Sequence, residues 1–139
     1  MIFVDSNIWC YYFDQRLPEH AKVREPMREI IKSEEILCNT ITVMEVVHYI
    51  VKHFNEEAAQ KKIEFFVNLR NMKIVDFDRQ AMMETIETFI AHAYADGLGG
   101  RDATILATMT SQNAKKIISH DNIIKNLAHK LALQVIDPI

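Results

Sequence analysis

Short apolar runs closed by polar breaks alternate along this chain with longer stretches whose apolar residues recur every three or four positions. The first kind reads as buried strand, the second as amphipathic helix. Ile2-Phe3-Val4 is such a run, stopped by Asp5-Ser6-Asn7, and Ser6 or Asn7 is placed to cap a helix over Ile8 to Phe13. Val23, Met27, Ile30 and Ile31 keep helical spacing, with Pro26 either kinking that helix or marking its first turn. Glu35 to Cys38 predicts a second strand, after which Thr40 or Thr42 opens an apolar helix through Val43, Val46, Val47, Ile50, Val51 and Phe54. Asn55 caps a helix that ends near Arg70 and turns Ala59, Ile63, Phe66 and Val67 inward. Ile74-Val75 predicts a third strand. Asp78 then caps a long helix with Met82, Ile86, Phe89, Ile90 and Ala93 on one face, closed by Gly97. Asp102 begins a helix carrying Ala103, Ile105, Leu106 and Met109. Lys115 to Ser119 predicts a fourth strand, Asn122 to Lys130 a short helix and Leu133 to Ile136 a last strand. Strands separated by helices predict a mostly parallel sheet of four or five strands with helices on both faces, a three-layer α/β/α sandwich.

Composition narrows the function classes. The 139 residues contain no internal repeat or linker and suit one domain over 1–139. Sixteen basic and 19 acidic residues leave a formal charge of −3, so the chain as a whole offers no field to attract nucleic acid. Any such contact must use a local basic rim. Cys10 and Cys38 lie in apolar runs without a CxxC pattern and are expected as reduced, buried thiols. No apolar stretch approaches the ~20 residues that span a bilayer, and the N-terminus lacks the features of a signal peptide. A cytoplasmic protein without a membrane partner is the expectation. The six histidines form no i, i+4 pair, which makes a zinc site unpromising.

Four acids change the picture. Asp5, Glu45, Asp102 and Asp121 each fall where a predicted strand ends or a predicted helix begins. In open parallel sheets ligands bind outside the carboxyl ends of the strands, where the strand order reverses, and this topology would carry all four acids to that edge. Taken singly each has a structural reading. Asp5 and Asp121 suit helix caps, Glu45 completes a capping box with Thr42, and Asp102 complements a helix dipole. Together they form a pocket too negative to stand alone, and a hard divalent cation such as Mg²⁺ or Mn²⁺ is the natural counter-charge. Metal-assisted phosphodiester hydrolysis follows.

The ordered set Asp5-Ser6-Asn7, Thr42-Val43-Met44-Glu45-Val46-Val47, Arg101-Asp102-Ala103-Thr104-Ile105-Leu106-Ala107 and Ser119-His120-Asp121 resembles PIN-domain nucleases, and more narrowly toxin ribonucleases of the VapC type. The resemblance implies that Asp5, Glu45, Asp102 and Asp121 are the catalytic, metal-binding carboxylates, with Asn7 and Ser119 as polar support. It also implies an RNA substrate, a small antitoxin partner and a homodimer. Function varies within that family, and a non-toxin RNA-processing nuclease or an inactive scaffold that binds RNA or protein is the alternative. His120 is not part of the family pattern; it and Arg101 are candidate substrate contacts. Arg16, Lys52 and Lys125 are further candidates for the phosphate backbone. One of Trp9, Tyr11 and Tyr12 is expected in the core, and an exposed one can stack a base.

Overall fold

The computed structural model describes residues 1–139. Strand β1 (Ile2–Val4) leads to helices α1 (Ser6–Phe13) and α2 (His20–Ser33), then β2 (Ile36–Asn39), α3 (Thr40–His53), α4 (Glu56–Val67) and β3 (Met72–Val75). Helices α5 (Arg79–Asp96) and α6 (Gly100–Ser111) follow, and β4 (Lys116–Ile118), α7 (Asn122–Leu131) and β5 (Gln134–Ile136) complete the chain. All five strands are parallel, in the order β3-β2-β1-β4-β5. The chain winds outward from β1 to β3 and then returns to the other side of β1, so the order reverses there.

Alternation along the short strands sorts the core into layers, because successive side chains point to opposite faces. Ile2, Val4, Ile36 and Ile118 face the layer of α1 to α4, where they meet Ile8, Trp9, Met27, Val46, Ile50 and Phe66. Phe3, Leu37 and Ile117 face the other way, toward Ile105 and Met109 of α6 and Ile124 of α7. With both faces covered, β1 is buried at every residue, as parallel sheets require.

Several local expectations need correction. Of the three caps open to α1, Asp5 takes the role and Ser6 and Asn7 do not, because the Asp5 carboxylate accepts from Ser6 N at 2.7 Å. No capping box joins Thr42 to Glu45: Asn39 caps α3 by accepting from Thr42 N at 2.8 Å, which leaves Glu45 free of any capping duty. Pro26 lies inside α2 rather than in its first turn. Helix α4 stops at Val67, short of Arg70, and Val67 itself is exposed. The largest departure is α5. Its Asp78 cap and left-handed Gly97 terminator are as expected, yet Met82, Ile86 and Ile90 are exposed and Thr85 is its one fully buried residue. Helical period reports that a helix has an apolar face; it does not say what covers that face.

Candidate active site

Four elements deliver the four acids to one edge. Asp5 follows β1, Glu45 lies in α3 after β2, Asp102 sits in the first turn of α6 and Asp121 caps α7 just past β4. A continuous chain of polar contacts joins them. Ser119 Oγ donates to Asp5 Oδ2 at 2.7 Å and accepts from Asp121 N at 3.1 Å. Ser6 Oγ donates to Glu45 Oε2 at 3.2 Å, while the Ser6 backbone N–H holds Asp5 Oδ1. Arg101 Nη1 donates to Glu45 Oε2 at 3.0 Å, and its Nη2 stands 3.5 Å from Asp102 Oδ1. Ser6, which bridges Asp5 to Glu45, was not among the expected site residues; its only signal in the sequence is its place directly after a strand-end aspartate.

Electrostatics follow from this enclosure. Burial pushes the Asp5 carboxyl above its ordinary range; Ser119, Arg101 and Ser6 oppose the rise, and Asp121 adds to it. Asp102 is raised for the same main reason, with Asp121 and Asp5 adding to it and Arg101 opposing. Burial pulls the Arg101 guanidinium down, but Glu45, Asp5 and Asp102 outweigh it and keep its pKa raised. Desolvation, more than mutual repulsion, therefore lifts the acids. Cys10, which lines the adjoining groove, is pushed up to about 12 by burial and by the carboxylates of Glu45, Asp5 and Asp14. Cys38 is likewise held near about 12 by burial. Both thiols are free.

The donor set suits a hard cation. Asp102 Oδ1 and Asn7 Oδ1 are buried without a hydrogen-bond partner, a rare condition for an oxygen in a folded chain. Trp9 Nε1, in the core, is the third such atom. No three carboxylate, imidazole or thiol groups stand close enough together to share one ion. The Arg101 guanidinium bridges Glu45 and Asp102 and supplies positive charge there itself. Its side chain is 47% exposed, so solvent reaches it beside the acids.

A family model for the PIN domain matches residues 2–130. The chain belongs to the PIN domain family. No curated protein is detectably similar to it in sequence. Among solved structures, VapBC2 from Rickettsia felis bound to a DNA fragment from their promoter aligns with a TM-score of 0.72 at 19% identity, covering 99% of this chain and 98% of that one. VapC20 from Mycobacterium tuberculosis, described as a toxin that cleaves the sarcin-ricin loop, aligns at 0.71 and 13% identity over 91% and 95% of the two chains. A toxin–antitoxin complex from Klebsiella pneumoniae gives 0.67 and 20% over 100% and 98%. At these identities the likeness is one of fold.

Around this PIN-domain edge the secondary candidates separate. Arg16 is committed elsewhere: its Nε and Nη2 reach Asp14 at 2.8 and 3.0 Å. Lys125 and His120 both bind Asp137, at 2.6 and 3.1 Å, and their pairing overcomes the cost of burial to hold Asp137 at about 2. The His120 ring thus faces the C-terminal segment. Lys52, with Tyr11 and Asn7, lines a groove of about 1020 Å³ that begins at Ser6, Glu45 and Arg101 and runs between α1 and α3. Trp9 is buried in the core. Tyr12 lines a second cavity, between α2 and α4.

Proposed function

We propose that the chain is a divalent-metal-dependent endoribonuclease, the toxin of a toxin–antitoxin pair, working with Mg²⁺ or Mn²⁺ in the cytoplasm as one PIN domain over residues 1–139. The observation that carries this reading is the arrival of Asp5, Glu45, Asp102 and Asp121 from four separate elements at one edge, with Asp102 Oδ1 buried and met only by the Arg101 guanidinium at 3.5 Å. Those four residues would hold the ion, helped by the Asn7 oxygen. When bound, such an ion supplies a water of lowered pKa and positive charge against the phosphoryl oxygens. The chain's own residues do the rest. Ser119 and the Ser6 N–H fix the orientation of Asp5 through both of its oxygens. Arg101, half-exposed beside the acids, is placed to turn from Glu45 to a substrate phosphate.

The relatives solved with antitoxins support a protein partner. The groove beside the acids, walled by Tyr11, Leu17, Met44, Tyr49 and Phe77, suits an apolar segment of a small antitoxin ending at Arg101 and Glu45. No helix is long and apolar enough to cross a membrane. The exposed face of α5 (Met82, Met83, Ile86, Ile90 and Tyr94) supports a homodimer. Light scattering would then give twice the chain mass for the wild type and one chain mass for Ile90→Glu; a wild-type monomer would remove the dimer from this reading. The function itself is tested by incubating labelled RNA with Mn²⁺ or Mg²⁺, with EDTA as control. Cleavage that stops in EDTA supports a nuclease. RNA bound but never cut, with either ion, would make the chain an inactive scaffold instead.

A further inference from the structure

We propose that the cavity between α2 and α4 is a second nucleic-acid site, which holds the phosphodiester backbone of a single-stranded RNA at a distance from the bond being cut. The cavity encloses about 640 Å³, and no acidic residue lines it. Arg24 and Arg28 from α2 face Lys61 and Lys62 from α4 across it, in a chain whose net charge is −3. Their pairing is incomplete. Arg24 and Arg28 share the single carboxylate of Glu25, at 3.8 and 2.9 Å, and Lys61 meets Glu57 at 3.3 Å. Lys62 has no carboxylate partner and lies 4.7 Å over the ring of Phe54. Four cations thus have two acids among them. Like charges one helical turn apart, as in Arg24 and Arg28, oppose the helix that carries them. Glu25 offsets part of that cost, and an anion in the cavity would offset the rest.

The aromatic walls and the position favour a nucleic acid over another polyanion. Tyr12 and Phe65 line the cavity, and Phe65 is 46% exposed, so a base has rings to stack on beside the cations that bind its phosphate. The cavity is also joined to the acid edge. Helix α1 starts beside Asp5 and ends at Phe13 in the cavity wall, a span of eight residues or roughly 12 Å. Lys52 and His53 line the far end of the groove that starts at Glu45 and Arg101. Beyond them Arg16 donates to the His53 carbonyl at 2.9 Å and stacks on Phe54, the ring that also carries Lys62. A strand leaving the acids along the groove therefore meets Arg101 at one end and Lys52 at the other, with Lys62 beyond it at the cavity. That the polymer is RNA rests on the nuclease reading; the charge imbalance does not.

The test compares the full-length wild type with Arg24→Gln/Arg28→Gln and with Lys61→Glu/Lys62→Glu, each checked by thermal melting for an intact fold. Binding is read by fluorescence anisotropy in EDTA, using a single-stranded RNA of about a dozen nucleotides and a dinucleotide, whose single phosphodiester reaches only one of the two sites. The longer RNA should bind roughly tenfold more weakly to each variant, with a salt dependence shallower by about 0.7 in log–log slope for each phosphate no longer neutralised. The shorter RNA should bind as before, and its Mn²⁺-dependent cleavage should not change. Wild-type affinity and salt slope for the longer RNA in both variants would overturn the proposal. So would weakened binding of a poly-glutamate peptide with RNA binding intact, which would assign the cavity to an acidic protein segment. A wild type that cuts no RNA, while the variants still bind the longer strand more weakly, would end the nuclease reading and leave the cavity as a binding site.

Discussion

Asp14 and Asp102 are buried to nearly the same degree, 2% and 7% exposed, yet the chain treats them in opposite ways. Asp14 Oδ1 accepts from Arg16 N and Nε, and its Oδ2 from Arg16 Nη2 and, at 2.7 Å, from the Tyr49 hydroxyl. The Arg16 guanidinium, helped by Tyr49, holds that carboxyl well below the usual range despite burial. Asp102 Oδ1 meets only the Arg101 guanidinium, at 3.5 Å, and burial, with Asp121 adding to it, raises the carboxyl's pKa against that opposing charge. Burial alone does not mark a functional acid, because a complete set of donors turns the same burial into a brace. A buried carboxylate whose donors are missing, among other acids, is the one to suspect of chemistry.

The sharpest way to break this contrast is to neutralise each acid in turn. Asp102→Asn should lower metal-dependent RNA cleavage by about a hundredfold or more, since a ligand of the proposed ion is lost. In metal-free protein its melting temperature should hold or rise, because the amide removes a buried charge without a full partner set. Full cleavage by that variant would place the chemistry elsewhere. Asp14→Asn should do the reverse. It should cost about 2 kcal/mol in urea denaturation at neutral pH while leaving cleavage per folded molecule intact.

The pH dependence of that loss sharpens the contrast further. The folded pKa of Asp14 is depressed, so its contribution is fully present above the unfolded carboxylate value of about 4 and fades as pH falls through the lowered folded value. The stability gap between wild type and Asp14→Asn should therefore shrink below about pH 4; a gap that widened there would reverse the assigned cause. The smallest effect concerns the guanidinium at the acid edge. Arg101→Gln removes a cation that competes for Glu45 and Asp102, so Mn²⁺ should raise the melting temperature at ion concentrations a few-fold lower than for wild type. If the variant needed as much Mn²⁺ or more, Arg101 would not be in the ion's way.

The two aspartates also show what a sequence can and cannot disclose. Asp5 and Asp121 are legible because strand ends and helix starts are local patterns, and parallel winding then sends them to one edge. Both helical layers follow from the same reasoning, whereas the order β3-β2-β1-β4-β5 is not fixed by any local pattern. The Asp14 brace is not legible, because Tyr49 lies 35 positions away and neither residue breaks a hydrophobic rhythm. At α1 Asp5, Ser6 and Asn7 all stood open as caps and Asp5 takes the role, whereas at α3 the cap falls on Asn39, directly before the expected Thr40. The α5 face was legible as apolar, but what covers it depends on surfaces outside one chain's local order.

Gly100 lies at the junction of these regions. A Cβ built there would stand 3.0 Å from Cε2 of Phe89, an α5 side chain, and the next two residues are Arg101 and Asp102. An added methyl group there must push the Phe89 ring aside by a few tenths of an ångström or shift the entry of α6, and only the second adjustment moves the guanidinium and the carboxylate beside it. The start of α6, with its arginine and aspartate, thus lies one aromatic ring away from a helix whose outer surface is bare.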